Sequence, residues 1–322
     1  MSTAFAHAQS PAEFYKGKTV HVLVGAAVGG DYDVQARLVS RHLAKQLPGE
    51  PSIVVENMTG AGGLTMVNYL YNIAAKDGTY LGVVPNNFPA MQWAGTQGIQ
   101  FDAVKFGWLG GLTRETETMA SWHKSAIRTI EDAQRAEVIA GATGRGAVTF
   151  TFPSMLNALI GTKFKIITGY TGGSDINLAM ERGEVVARLN SWSAWKNTKA
   201  DWIRNKWLNV LIQAGRRHPE LPDVPSLETM ARNDDDRELI RVTMLGNELG
   251  RPFAAPPGVP ADRLDALRNA FLKMTTDPGL LAEAATLKIE LAPTTGPEMQ
   301  ALVLSVFKTP QHLATRAKEF LD

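Results

Sequence analysis

The stretch Thr19-Val20-His21-Val22-Leu23-Val24, followed by Gly29-Gly30 and a helical pattern that runs to Leu47, decides the fold. The run is short, apolar and rich in β-branched residues, as in a buried strand. Beyond the glycines, Val34, Leu38, Val39, Leu43 and Leu47 recur at helical spacing, with Arg37, Arg41 and Lys45 on the opposite side. Pro48-Gly49 ends that helix, and Ser52 to Val55 reads as a second strand. Gly60-Ala61-Gly62-Gly63 opens a second helix that carries Leu64, Val67, Leu70 and Tyr71 on one face. Asp77-Gly78 then turns the chain into a third strand, Thr79 to Val84. Strand, helix, strand, helix, strand predicts a parallel, doubly wound α/β sheet.

The pattern recurs. Val138 to Ala140 is a strand followed by the glycine-rich loop Gly141 to Gly146, and Phe150 to Leu159 is helical. Phe164 to Ile167 is a strand, Gly172-Gly173 precedes a helix around Ile176 to Met180, and Val185 to Leu189 and Leu208 to Ile212 are further strands. Phe253-Ala254-Ala255 reads as a late strand, with helices from Asp262 to Thr275 and Gly296 to Phe307; these form a third unit or return to the first half. The run Asp234-Asp235-Asp236 reads as a solvated loop or a helix start. A length of 322 residues suits two such domains.

Composition narrows the function. Lys plus Arg number 33 and Asp plus Glu 32, a net charge of +1 that gives no footprint for nucleic acid. The chain has no cysteine, which removes disulfides, thiolate metal sites and cysteine nucleophiles. None of the six histidines stands three or four residues from another, so no local zinc pair and no metal is expected. No apolar run reaches the roughly 18 residues that span a bilayer. Ala6-His7-Ala8 before Gln9 fits a signal-peptidase site; residues 1–8 are either the remnant of a signal peptide or a chance match.

Nucleotide motifs fail. Gly17-Lys18-Thr19 has the tail of a P-loop, but Ala12 stands where its first glycine belongs. Gly144 and Gly146 lack the third glycine of a dinucleotide fingerprint, since residue 149 is Thr149, and no cofactor is expected. Ser121 with Lys124 and Ser193 with Lys196 match a serine–lysine acyl-enzyme spacing, but its companion elements are absent. What remains is a set of glycine loops between strands and helix starts. There the backbone approaches a ligand closely, and free N–H groups with the positive helix end attract an anion. Loops at the carboxyl ends of parallel strands are where such folds bind ligands, and two facing halves make a cleft.

A family resemblance rests on these loops. Its motifs are Phe14-Tyr15-Lys16-Gly17-Lys18, Gly29-Gly30-Asp31-Tyr32-Asp33, Val54-Val55-Glu56-Asn57, Gly60-Ala61-Gly62-Gly63 and Lys76-Asp77-Gly78-Thr79. Later come Gly172-Gly173, Leu221-Pro222-Asp223-Val224-Pro225 and Phe253-Ala254-Ala255-Pro256-Pro257-Gly258. In this order they resemble the periplasmic substrate-binding proteins of tripartite tricarboxylate transporters, the Bug receptors. The resemblance implies a two-lobed Venus-flytrap fold of the type II-like periplasmic binding class, each lobe a doubly wound sheet. Residues 9–121 and 250–322 would form one lobe and 122–249 the other, with hinges near Trp122 and Gly250. It implies a monomeric periplasmic receptor, not an enzyme. Such a receptor captures a small organic carboxylate, holds it largely by backbone amides, hydroxyls and waters, and delivers it to membrane permease subunits. A receptor that reports to a sensor kinase and a Ser-Lys cleft hydrolase are the alternatives.

The expected ligand contacts in the first lobe are Ala27, Val28, Gly30, Asp31, Tyr32, Asp33, Gly60, Ala61, Gly62, Gly63 and Asn86. In the second they are Thr143, Gly144, Arg145, Gly146, Tyr170, Gly172, Gly173, Asn190 and Trp192. Several depart from the family pattern. Tyr32 replaces a small hydroxyl residue with a ring that can stack or donate. Asp31 either caps the next helix or faces the ligand, where a carboxylate would repel a carboxylate. Arg145 is either a carboxylate partner or a solvated loop residue. Trp192 and Trp195 either line a pocket for a flat ligand or fill the core. Together with Phe88 and Phe150, these aromatics suggest a ligand bulkier than the usual C4 to C6 acids.

Overall fold

Two sheets of one plan organise the chain. The computed structural model describes residues 9–145 and 147–321; Ala6-His7-Ala8 and Gly146 lie outside the described residues. In chain order the elements are α1 (Pro11–Tyr15), β1 (Thr19–Val24), α2 (Asp31–Gln46), β2 (Ser52–Asn57), α3 (Leu64–Asn72) and β3 (Tyr80–Val83). Then come α4 (Phe88–Ala94), β4 (Gly107–Gly111), β5 (Thr116–Trp122), α5 (Ile130–Arg135), β6 (Val138–Gly141), α6 (Val148–Ile160), β7 (Phe164–Ile167) and α7 (Gly173–Arg182). The chain continues through β8 (Ala187–Ser191), α8 (Trp192–Thr198), α9 (Ala200–Arg204), β9 (Leu208–Gly215), α10 (Asp234–Leu249) and β10 (Phe253–Ala255). It ends with α11 (Ala261–Met274), α12 (Pro278–Thr286), β11 (Thr294–Thr295), α13 (Gly296–Val306) and α14 (Leu313–Leu321).

The first sheet runs β11-β4-β10-β3-β1-β2 and the second β7-β6-β8-β5-β9. β2, β1 and β3 are parallel, and β10 lies antiparallel to β3. β7, β6 and β8 are likewise parallel, and β5 lies antiparallel to β8. Strand character follows position. Central β1 buries Val20, Val22, Leu23 and Val24, whereas edge strand β2 alternates between exposed and half-buried residues. In the first unit Leu38, Val39 and Leu43 of α2 join these strands, Phe253 and Phe271 in one core. In the second, Ile176 and Met180 of α7 pack with Trp192, Trp195 and Trp202.

One compact unit comprises the chain up to Pro85, Gly98–Leu112 and Arg251–Ala301; the other comprises Asn86–Gln97, Thr113–Gly250 and Leu302 onward. These limits differ from the expected ones: residues 86–97, 113–121, 250 and 302–321 pack with the second unit. For the carboxyl terminus the cause is plain. Amphipathic α14 buries Ala317, Phe320 and Leu321, packs on α6 and α4, and its Arg316 reaches the buried carboxylate of Asp236 at 2.5 Å. The acidic run thus starts α10: Asn233 caps it, and only Asp236 of the three is buried. The late strand and helices from 253 to 301 join the first unit rather than form a third, β10 lying between β3 and β4.

Gly250 ends α10 with φ +61°, and a Cβ there would stand 1.8 Å from the carbonyl oxygen of Thr113. No side chain fits so close to backbone. We expect Gly250→Ala to cost about 2–4 kcal/mol of stability, read as a lower urea midpoint at an unchanged slope.

Candidate functional site

A parallel strand needs a crossover, so the loops after β1, β2 and β3 emerge on one edge of the first sheet and those after β6, β7 and β8 on one edge of the second. Within the first unit these loops hold Ala27 to Gly30 and Gly60 to Gly63. Within the second unit they hold Thr143 to Arg145 and Tyr170 to Gly172, with Asn190 next to the last residue of β8 and Trp192 opening α8. Asn86 follows β3 but packs with the second unit, where its Nδ2 donates to the Gly246 carbonyl at 2.9 Å.

Four helices start at these loops: α2 after Gly30, α3 after Gly63, α6 after Ala147 and α7 after Gly172. None of these four positions supplies a side-chain cap. By contrast Ser10, Thr129, Asn233 and Asp277 cap α1, α5, α10 and α12. At α2 and α7 the first-turn N–H groups therefore keep their capacity to bind an anion, whereas Leu64 N and Thr65 N of α3 donate to the Ala61 and Gly60 carbonyls and Phe150 N of α6 to that of Ala147. The second loop is tight: Gly60, Ala61, Gly62 and Gly63 all have positive φ. A Cβ on Gly25 would lie 2.7 Å from Gly63 Cα, so only glycine lets the first two loops meet.

The side chains sort into clamps and open positions. Asp33 is buried and accepts from Gly29 N at 2.9 Å, Arg37 Nε at 2.9 Å and Asn57 Nδ2 at 3.0 Å. Asn57 Nδ2 also donates to the Ala26 carbonyl at 2.9 Å. Asp33 thus ties the first loop to α2 and to the end of β2. The Arg37 hydrogen bond leads in holding its carboxyl down to about 2. Ala27, Val28, Gly60 and Ala61 remain exposed, and Val28 shows an apolar side chain. Thr143 N and Oγ1 both engage Thr149 Oγ1, at 3.1 and 3.0 Å.

Asp31 is not the cap: Gly30 holds that position, and Asp31 is the first helical residue. Its carboxylate accepts from Arg251 Nε at 2.6 Å and from Gln35 Nε2 at 3.2 Å. The Arg251 guanidinium also lies over the Tyr32 ring, 4.7 Å from its centroid. Arg145 is exposed and stands 5.4 Å over the half-buried Phe150 ring. Trp192 and Trp195 are core residues, and Trp192 Nε1 donates to Glu220 at 2.7 Å. Phe88 is buried as well, so Tyr32, Phe150 and Tyr170 keep the partly exposed rings near the loops.

Two arginines escaped the sequence reading. Arg251 reaches Asp31 across 220 positions of sequence, which no local pattern reveals. Arg188 sits inside β8, in a stretch read only as a strand, and it is 4% exposed. The serine–lysine pairs are otherwise engaged: Ser193 Oγ donates to Glu115 at 2.8 Å, Lys196 Nζ to Glu220 at 3.3 Å, and Ser121 Oγ to the Ile127 carbonyl at 2.5 Å.

No family model matches the chain. Two curated relatives are UPF0065 proteins. One, encoded in the gbd 5' region of Cupriavidus necator, is 25% identical over 296 residues, 88% of this chain and 82% of its own. The other, from Bordetella bronchiseptica, is 24% identical over 275 residues, 84% of this chain and 76% of its own. Among solved structures, a TctC solute-binding protein from Polaromonas matches with a TM-score of 0.69 and 17% identity, covering 94% of this chain and 99% of its own. The periplasmic binding protein BugD matches at 0.68 and 19%, with the same coverage. MatC from Rhodopseudomonas palustris, solved with bound malate, matches at 0.66 and 19%, covering 92% of this chain and 99% of its own. The fold is that of the periplasmic binding proteins, and the resemblance read from the glycine-loop motifs is borne out by TctC, BugD and the UPF0065 relatives.

The Asp33 clamp has a pH signature. Its lowered folded-state value means the unfolded chain takes up the proton first as pH falls, so its contribution is complete above about 4 and lost by about 2. Asp33→Asn should lower stability at pH 7 by roughly 2 kcal/mol, and the gap to wild type should close between about pH 4 and pH 2. Denaturation midpoints of both proteins across that range check this.

Proposed function

We propose that the chain is an extracytoplasmic receptor that binds a small organic carboxylate and delivers it to the membrane permease of a tripartite tricarboxylate-type transporter. The observation that carries the reading is the set of uncapped amino-terminal turns of α2, α3, α6 and α7 at glycine loops beyond parallel strands. Backbone donors of this kind hold a carboxylate without a dedicated counter-charge. Ala27, Val28, Gly30, Asp31, Tyr32 and Gly60 to Gly63 are the ligand-facing residues of the first unit in this reading. Thr143 to Arg145, Tyr170, Gly172, Gly173 and Asn190 are those of the second. Asp33, Asn86 and Trp192 support them from behind, because each is buried and hydrogen-bonded within the fold.

Family relatives guide the substrate class: MatC was solved with malate and another R. palustris protein with adipate. The partly exposed rings of Tyr32, Phe150 and Tyr170 extend that class to acids with an apolar or aromatic body. Periplasmic placement fits both this role and the fact that no described helix is long and apolar enough to cross a membrane.

A thermal-shift panel of malate, adipate and benzoate, each beside its neutral amide, tests the reading. At a hundredfold excess over Kd a ligand should raise Tm by roughly 5 °C, and only the carboxylate of each pair should do so. Flat melting curves for all three acids, or equal shifts with the amides, count against it. Stabilisation by malate and adipate alone removes the bulky-ligand extension.

A further inference from the structure

Arg188 is a buried cation in the second unit whose surroundings are incomplete. Its Nε donates to the Leu189 carbonyl at 2.9 Å, and its Nη1 to the Gly173 carbonyl at 2.6 Å and to Asn177 Oδ1 at 2.8 Å. All three acceptors are neutral. Among the described residues no carboxylate lies within ion-pair distance of it, and Nη2 makes no hydrogen bond. Glu117 on the neighbouring strand is the acid whose field reaches it, from beyond that distance. Burial outweighs Glu117 and pulls the guanidinium down to about 10. On one side the group rests 5.2 Å from the centre of the Trp195 ring.

Its other neighbour is the start of α7. A Cβ on Gly173 would fall 2.9 Å from Nη1 and 3.0 Å from Nη2, so the guanidinium lies directly against the uncapped first turn of that helix. A desolvated positive charge beside the positive end of a ten-residue helix favours an anion there; the acid of that first turn, Asp175, accepts from Thr171 Oγ1 and makes no ion pair with Arg188. Both groups favour the same species. A Cβ on Gly173 would press on the guanidinium and oblige it to shift.

We propose that Arg188 is the charged anchor of the ligand: one carboxylate of the bound acid accepts from Nη2 and from the first-turn N–H groups of α7. The proposal rests on the carboxylate-receptor reading above and adds to it a specificity residue. It makes this receptor differ from one that relies on backbone amides and water alone, and it makes a net negative charge on the ligand obligatory. Arg145, exposed on the loop after β6, remains an outer residue with its guanidinium over Phe150.

The test compares wild type, Arg188→Met and Arg188→Lys, using malate, adipate and benzoate as probes in calorimetry and thermal melting. A charge-assisted contact of this kind predicts that Arg188→Met weakens the stabilising acid by about tenfold to a hundredfold, while Arg188→Lys retains part of the affinity. Equal binding by Arg188→Met overturns the anchor and leaves the receptor reading intact. Failure of all three acids to bind wild type overturns both. If Arg188→Met does not fold, arginine-labelled wild type carries the test by NMR. The guanidinium resonance absent from Arg188→Lys should shift on adding the stabilising acid. An unmoved resonance during saturation overturns the proposal.

Discussion

Parallel pairing at β1 and β6 is the constraint on which the rest depends. A strand with a parallel neighbour on each side must be entered and left through crossovers, so its carboxyl end carries a loop and then a helix start. With β2 and β3 beside β1, and β7 and β8 beside β6, each unit collects its loops on one edge. The helix dipoles follow from the same geometry. Glycine where a cap could stand leaves the first-turn donors of α2 and α7 open, while those of α3 and α6 are partly taken up by the carbonyls of their own loops.

Charge is handled in two ways around these edges. Asp33 is a satisfied acid: three donors surround its carboxylate and tie the first loop to α2 and β2. Asp31 and Arg251 form a pair between helix start and strand start, with Tyr32 under the guanidinium. Arg188 has only neutral acceptors within bonding distance, although it is the more buried arginine. The contrast between a pair that neutralises itself and a cation without a direct counter-ion points to the second unit for the anion. A small net charge of +1 on the whole chain conceals this local imbalance.

Much of the loop framework around the candidate site was legible because glycine loops and helix faces are local signals. Gly60 to Gly63 announced a tight loop, and the structure places positive φ at all four positions. Strand β10 was legible from three residues, Phe253 to Ala255. Strand β4 was not, since Gly107, Gly110 and Gly111 spoil its pattern and its burial comes from neighbours distant in sequence. Trp192 and Trp195 left two readings open because a ring at a helix start can face either way; packing with Ile176 and Met180 puts them in the core.

The sequence by itself determined the repeated α/β plan, the loops that end its parallel strands and the family resemblance. Each of these is written in residues near one another, through periodicity, turn chemistry or motif order. Tertiary structure decided which segments return to which unit: α14 joins the second because its apolar face and Arg316 find partners on α4, α6 and Asp236. It also decided which charges are compensated. Asp31 meets Arg251 through a contact spanning 220 positions, and Arg188 is left facing a helix start instead of a carboxylate. Coulomb energy and desolvation depend on distance in space, and a chain read residue by residue does not carry that distance.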